Sequence, residues 1–130
     1  MRSNAMTLPN FLVIGPPRTG TTWLHYALRS HPNIFVPEIK QVHYFDRHFE
    51  RGITWYESFY QNITEDIPFI GDITPDYLTS EEVPQRIHSI LNDNLQLFVI
   101  IRHPVDRALS DFHLLRRQGQ LNCDFSRAVK

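Results

Sequence analysis

Gly15-Pro-Pro-Arg-Thr-Gly-Thr-Thr-Trp-Leu24 is the stretch of this sequence with the clearest capacity for chemistry. Gly15 and Gly20 stand five apart, and two hydroxyl residues, Thr21 and Thr22, follow the second. Glycines at these places permit a tight turn in which successive backbone N–H groups point inward at an anion. A helix opening just after the turn adds the positive end of its dipole. A nucleoside-triphosphate loop carries lysine directly after its second glycine. Here Thr21 holds that place and Arg18 lies inside the loop instead. A guanidinium there can fork across two anionic oxygens. Taken alone, the stretch also fits a glycine-containing turn capped by threonine.

Two further stretches carry candidate chemistry. In Leu97 to Phe112, LFVIIRHPVDRALSDF, Arg102 stands where a strand ends and Ser110 follows eight residues later on a helix. An arginine and a serine so placed can hold a second phosphate. An Arg102–Asp106 pair is the structural alternative, and the stretch alone does not choose between them. In Lys40 to Asp46, KQVHYFD, Lys40, His43 and Asp46 fall close together among aromatic residues. An imidazole titrates near neutrality, so His43 is a candidate general base. A histidine in an aromatic loop is more often only packed or hydrogen-bonded. The chain has seven histidines, but no pair with the usual ligand spacing and a third partner, so no metal is expected.

These residues need elements to place them. Phe11-Leu-Val-Ile14 is wholly apolar and reads as a buried strand of a parallel sheet. Thr21 to Ser30 reads as a helix with Trp23, Leu24, Ala27 and Leu28 on one face, ended by His31-Pro32. Ile34–Val36, Phe69–Ile73 and Leu95–Ile101 read as further strands, with Pro37 to Asp46 a loop. Thr54 to Tyr60 reads as a short helix that pairs Trp55 with Phe59 and Tyr56 with Tyr60. Thr79-Ser80 signals a helix through Leu91 with Val83, Ile87, Ile90 and Leu91 inward. Pro104 opens a last helix with Val105, Ala108, Leu109 and Phe112 on one side. Strands alternating with helices imply a three-layer α/β domain with a central parallel sheet. Ligands of such sheets bind at the carboxyl ends of the strands, where the Gly15–Thr22 loop and Arg102 fall.

Composition bounds the partners. With 130 residues, 42% hydrophobic and 21% charged, the chain suits one globular domain or part of a larger one. A net charge of −1 argues against nucleic acid, so any anion site is local. No run approaches the roughly 20 apolar residues of a membrane span. The single cysteine, Cys123, excludes an internal disulfide and fits a reducing compartment, so a cytoplasmic location is expected. Asn62-Ile63-Thr64 is a glycosylation sequon, meaningful only in a secreted chain. Residues 1–5, ahead of a second methionine at Met6, read as a cloning remnant.

Together the three stretches resemble the sulfotransferase family that uses 3′-phosphoadenosine 5′-phosphosulfate. GPPRTGTTWL is similar to the family's 5′-phosphosulfate loop, and the unit around Arg102 and Ser110 to its 3′-phosphate site. KQVHYFD, GITWY, GDITPDYL and VPQRIHSIL resemble the heparan-sulfate-type and related bacterial branch. The resemblance runs from about Phe11 to Val129 and implies the P-loop-NTPase-like fold. It implies that Arg18 reaches the 5′-phosphate and bridging oxygen, that Thr19, Gly20, Thr21 and Thr22 hold the phosphosulfate, and that Trp23 contacts adenine. It also implies that Arg102 and Ser110 bind the 3′-phosphate. The donor is then a co-substrate, needing no metal, and the acceptor is a hydroxyl or amine on a small molecule or glycan.

Three departures from the family pattern bear on function. The glutamate that commonly serves as base is Gln41 here, which makes His43 the leading base, with Glu38 and Asp46 behind it. The lysine often found before the T-P-x-Y motif is Ile73, which weakens the case for a sulfated-glycan acceptor. Sulfotransferase domains are longer, so residues 6–130 are expected to form the N-terminal portion of one. Two other functions stay in play: a non-catalytic relative that binds ligand without transfer, motivated by Gln41, and a P-loop nucleotide kinase, disfavoured by Thr21.

Overall fold

One short strand, packed on both of its faces, organises this fold. In the computed structural model, which describes residues 7–63 and 66–129, β1 (Phe11–Gly15) is buried along nearly its whole length. Phe11 and Val13 face one side, where they cluster with Val36, Ile73 and, from α1 (Thr21–Arg29), Leu24 and Leu28. Leu12 and Ile14 face the other side, where an aromatic core gathers Tyr44, Phe45, Tyr56, Tyr60 and Tyr77 with Val83 and Leu91. Successive side chains of a strand point to opposite faces, so β1 serves both cores. The result is the expected layered α/β arrangement.

The sheet has the order β2-β3-β1-β4, with β2 (Ile34–Phe35), β3 (Phe69–Ile73) and β4 (Gln96–Val99), and every pairing is parallel. β3 begins and ends where its apolar run predicts. β4 is shorter than the expected Leu95–Ile101 and, among the described residues, lies at the sheet edge beside β1, with Leu97 and Phe98 about half exposed.

The helices differ from expectation in instructive ways. On α1 the buried residues are Thr21 and His25, while Trp23 is 74% exposed. At 100° per residue Trp23 points about 160° away from His25, so the inward stripe runs through Thr21, Leu24, His25 and Leu28. His25 belongs inside because its Nε2 lies 2.9 Å from the Pro37 carbonyl oxygen. The expected loop from Pro37 to Asp46 holds the start of a four-residue helix, α2 (Tyr44–Arg47). Next comes α3 (Ile53–Glu57), continued by a 3-10 turn to Tyr60, and both expected aromatic pairs form: Trp55–Phe59 at 4.9 Å and Tyr56–Tyr60 at 5.3 Å. The helix expected from Thr79-Ser80 starts later, as α4 (Val83–Ile90), because Pro75–Thr79 forms a 3-10 helix first. Thr64 of the sequon and residues 1–5 lie outside the described residues.

Residues from Ile101 onward form a second compact unit. Its α5 (Pro104–Arg117) opens on proline and carries Asp106 in its first turn and Arg116 and Arg117 in its last, which suits the helix dipole. A short α6 (Phe125–Ala128) sets Phe125 against Phe112 at 5.4 Å. Of the expected α5 stripe only Phe112 is buried; Val105 and Leu109 stay exposed because α6 reaches only the far end of the stripe.

Gly15 is where the sheet meets the loop. Its φ is +118°, and a Cβ there would overlap the Pro75 carbonyl. Gly15→Ala is therefore expected to lower stability by about 2–4 kcal/mol, combining strained backbone with a clash. Urea unfolding measures this, and a loss below about 1 kcal/mol would show that strand and 3-10 helix can separate freely.

Candidate functional site

The loop after β1 is built to turn its backbone inward. Gly15, Arg18 and Gly20 all have positive φ, at +118°, +67° and +96°. Arg18 is the non-glycine among them, and a left-handed residue of that kind costs about 1–2 kcal/mol. Thr19 is buried and its Oγ1 donates to the Pro16 carbonyl oxygen at 2.7 Å, bracing the turn from within. Gly20 caps α1, whose N-terminus has no side-chain cap and no acidic residue in its first turn. The positive end of the helix dipole therefore faces the loop unneutralised. Thr21 is buried, Thr22 and Trp23 are exposed, and Arg18 is half-buried.

The KQVHYFD stretch is held by hydrogen bonds at both imidazole nitrogens. His43 Nδ1 lies 2.9 Å from Asp46 Oδ2, and His43 Nε2 lies 3.1 Å from Gln41 Oε1. Asp46 accepts from Nδ1–H and so orients the ring, which makes Nε2 the nitrogen able to take a proton; an unprotonated Nε2 accepts from the NH2 group of the Gln41 amide rather than meeting its oxygen. Gln41 and His43 are both left-handed, with φ +66° and +55°. Two such residues two apart store about 1–3 kcal/mol each, strain that persists only where the surroundings hold it. Arg47 reaches over this corner, with Nη2 2.6 Å from Asp76 Oδ2 and Nε 3.5 Å from Asp46 Oδ2. His43, Asp46 and Asp76 have ligand atoms within 4.8 Å of one another, and the Arg47 guanidinium already supplies a cation to the two carboxylates.

Beneath His43 lies a buried carboxylate. Asp72 is fully buried on β3 and accepts from Thr74 Oγ1 at 2.7 Å, Tyr77 Oη at 2.8 Å and Tyr56 Oη at 2.9 Å. Burial raises its carboxyl above the ordinary 3.8, and the three hydroxyl donors and His43 oppose that rise. Burial first, and then the charge of Asp72, push the Tyr56 and Tyr77 phenols well up, so both keep their protons and donate. The step from Thr74 to Pro75 serves both halves of the site: Pro75 underlies Gly15, while the Thr74 hydroxyl accepts from the His43 N–H.

Arg102 and Ser110 belong to the second unit. Arg102 is exposed just ahead of α5, and Ser110 is partly buried within it.

The model of the Sulfotransferase domain matches residues 8–126. The chain belongs to the sulfotransferase family. Its curated relatives include the membrane-associated sulfotransferase kil1 of Dictyostelium discoideum, 37% identical over 110 residues, or 83% of this chain and 23% of the relative. Human heparan sulfate glucosamine 3-O-sulfotransferase 6 is 38% identical over 104 residues, or 80% of this chain and 30% of the relative. A crystal structure of a sulfotransferase from Alicyclobacillus acidocaldarius superposes with a TM-score of 0.81 over 93% of this chain and 55% of that one, at 23% identity. That likeness bears out the P-loop-NTPase-like fold. This sulfotransferase chain thus spans under a third of the length of those two curated relatives. No described helix is long and apolar enough to cross a membrane.

Reading the sulfotransferase sequence alone missed Asp72, Thr74 and Tyr77 as neighbours of His43. A signal was present. Strand alternation puts residues 70 and 72 on one face of Phe69–Ile73, so Asp72 falls where an apolar residue is due. A charged residue at such a place has a polar partner set to find.

Proposed function

We propose that this chain is the donor-binding part of an enzyme that transfers a sulfuryl group from 3′-phosphoadenosine 5′-phosphosulfate to a hydroxyl or amine acceptor. The observation that carries the reading is the loop: three positive-φ residues closing onto a helix N-terminus with no acid in its first turn, with Arg18 inside the loop and Thr21 where a triphosphate loop carries lysine. Thr19, Gly20, Thr21 and Thr22 hold the 5′-phosphosulfate, Trp23 borders the adenine, and Arg102 with Ser110 reads the 3′-phosphate. When sulfur is attacked in line, the bridging oxygen gains charge as it leaves, and Arg18 stabilises that charge. His43 takes the acceptor proton, with Asp46 holding its Nδ1 side. The reaction needs no metal. The acceptor is a small molecule or a glycan, and glycan acceptors are named in heparan sulfate relatives. The single cysteine supports a cytoplasmic, bacterial-type setting.

One observation favours a second reading, a relative that binds the donor without transfer. The Gln41 side chain sits on the nitrogen of His43 that must receive the proton. A neutral amide is no base, and an acceptor hydroxyl has to displace it. The test is release of 3′,5′-bisphosphate from the phosphosulfate donor, with a panel of hydroxyl and amino-sugar acceptors, for wild type and Gln41→Glu. The enzyme reading expects turnover in wild type. Turnover confined to Gln41→Glu would establish the non-catalytic reading.

A further inference from the structure

Three successive amides in the chain that carries His43 are captured by two hydroxyls, and both hydroxyls are aimed by one carboxylate. The His43 N–H donates to Thr74 Oγ1 at 3.4 Å. The Tyr44 and Phe45 N–H groups donate to Tyr77 Oη at 3.0 and 3.4 Å. Thr74 and Tyr77 can accept in this way because their own protons are spent on Asp72, one on each carboxylate oxygen. Tyr56 adds a third donor to the same carboxylate. A carboxylate accepts on both oxygens and donates on neither, so it fixes the direction of every bond in the chain. The first amides of a helix have no partner within it, and α2 has no side-chain cap of its own. Its first turn is capped by Thr74, just after β3, and by Tyr77 of the following 3-10 helix, more than 30 residues away in sequence.

We infer that Asp72, acting through Thr74 and Tyr77, is the positioning residue that holds His43 in its left-handed conformation and so aims the imidazole. This rests on His43 being the base proposed above. The imidazole itself is hydrogen-bonded to Asp46 and Gln41. What the buried carboxylate sets is the backbone from which the ring projects. An asparagine at position 72 must present an N–H to at least one hydroxyl that needs an acceptor, which reverses one bond. A valine at position 74 keeps the shape of threonine but removes the link to the His43 amide.

The test reads the wild-type protein first. Amide hydrogen exchange at His43, Tyr44 and Phe45 is expected to be slowed at least about 100-fold relative to an unstructured chain. Unprotected amides there would overturn the inference without any variant. In protein labelled with ¹⁵N at histidine, the His43 Nδ1 proton, assigned by its loss in His43→Gln, is expected at low field. Asp72→Asn and Thr74→Val should shift or abolish that signal and speed His43 amide exchange at least about tenfold, with Leu12 and Val13 amides unchanged. Thr74→Ser should restore both. Folded variants with the signal and the exchange of wild type would overturn the positioning role. If His43→Ala keeps full transfer, the base assignment falls while these measurements still decide the positioning; the converse holds equally.

Discussion

Arg18→Ala is expected to lower sulfuryl transfer by about 10²–10³-fold, the range seen when one donor to developing negative charge is removed. The loop gives the reason. Arg18 has a φ of +67° and stands between two glycines that also have positive φ, in the turn that leads into the N-terminus of α1. Its charge matters most as the bridging oxygen takes on charge, so kcat should fall further than donor affinity. Arg18→Lys keeps the charge and loses the planar fork, and should recover part of the rate. Alanine at this φ is itself strained, so the comparison requires a melting temperature for each variant. A folded Arg18→Ala protein with transfer within about threefold of wild type would remove arginine from the chemistry.

His43→Ala is expected to lower kcat by about 10²–10⁴-fold, the usual span for a positioned general base, with the affinity for the phosphosulfate donor little changed. The Asp46 contact at 2.9 Å and the Gln41 contact at 3.1 Å make the ring a held group rather than a surface side chain. Asp46→Asn, which leaves the ring but changes what its Nδ1 meets, should give a smaller loss. Full transfer by His43→Ala would end the base assignment and leave family membership untouched, because the Sulfotransferase domain match spans residues 8–126 as a whole.

How much of this could be read beforehand depended on the range of the interactions. The Phe11–Gly15 strand, the Gly15–Thr22 loop and the Phe69–Ile73 strand are written in local apolar runs and glycine spacing, and they fold as those runs imply. The inward face of α1 does not include Trp23. An aromatic residue suggested core, but His25 holds the inward position through a carbonyl twelve residues on. The start of α4 lies beyond the Thr79-Ser80 signal because Pro75–Thr79 is taken up by a 3-10 helix. Nothing local announces that Asp72 organises the amides of residues 43–45. That requires β3 to lie against a turn some 30 residues earlier, a relation only tertiary packing creates. The candidate residues Arg18 and His43 were legible as types in context, while the apparatus that aims His43 was not.

The most direct measurement of the central claim is calorimetric titration of this chain with 3′-phosphoadenosine 5′-phosphate, beside AMP under the same conditions and without Mg²⁺. A loop built for the phosphosulfate donor, with Arg102 and Ser110 reading its 3′-phosphate, should bind the bisphosphate about 10–100-fold more tightly than AMP. That is the effect of charge-assisted hydrogen bonds of about 1.5–3 kcal/mol. No binding of the bisphosphate, or equal binding of the two nucleotides, would contradict the account.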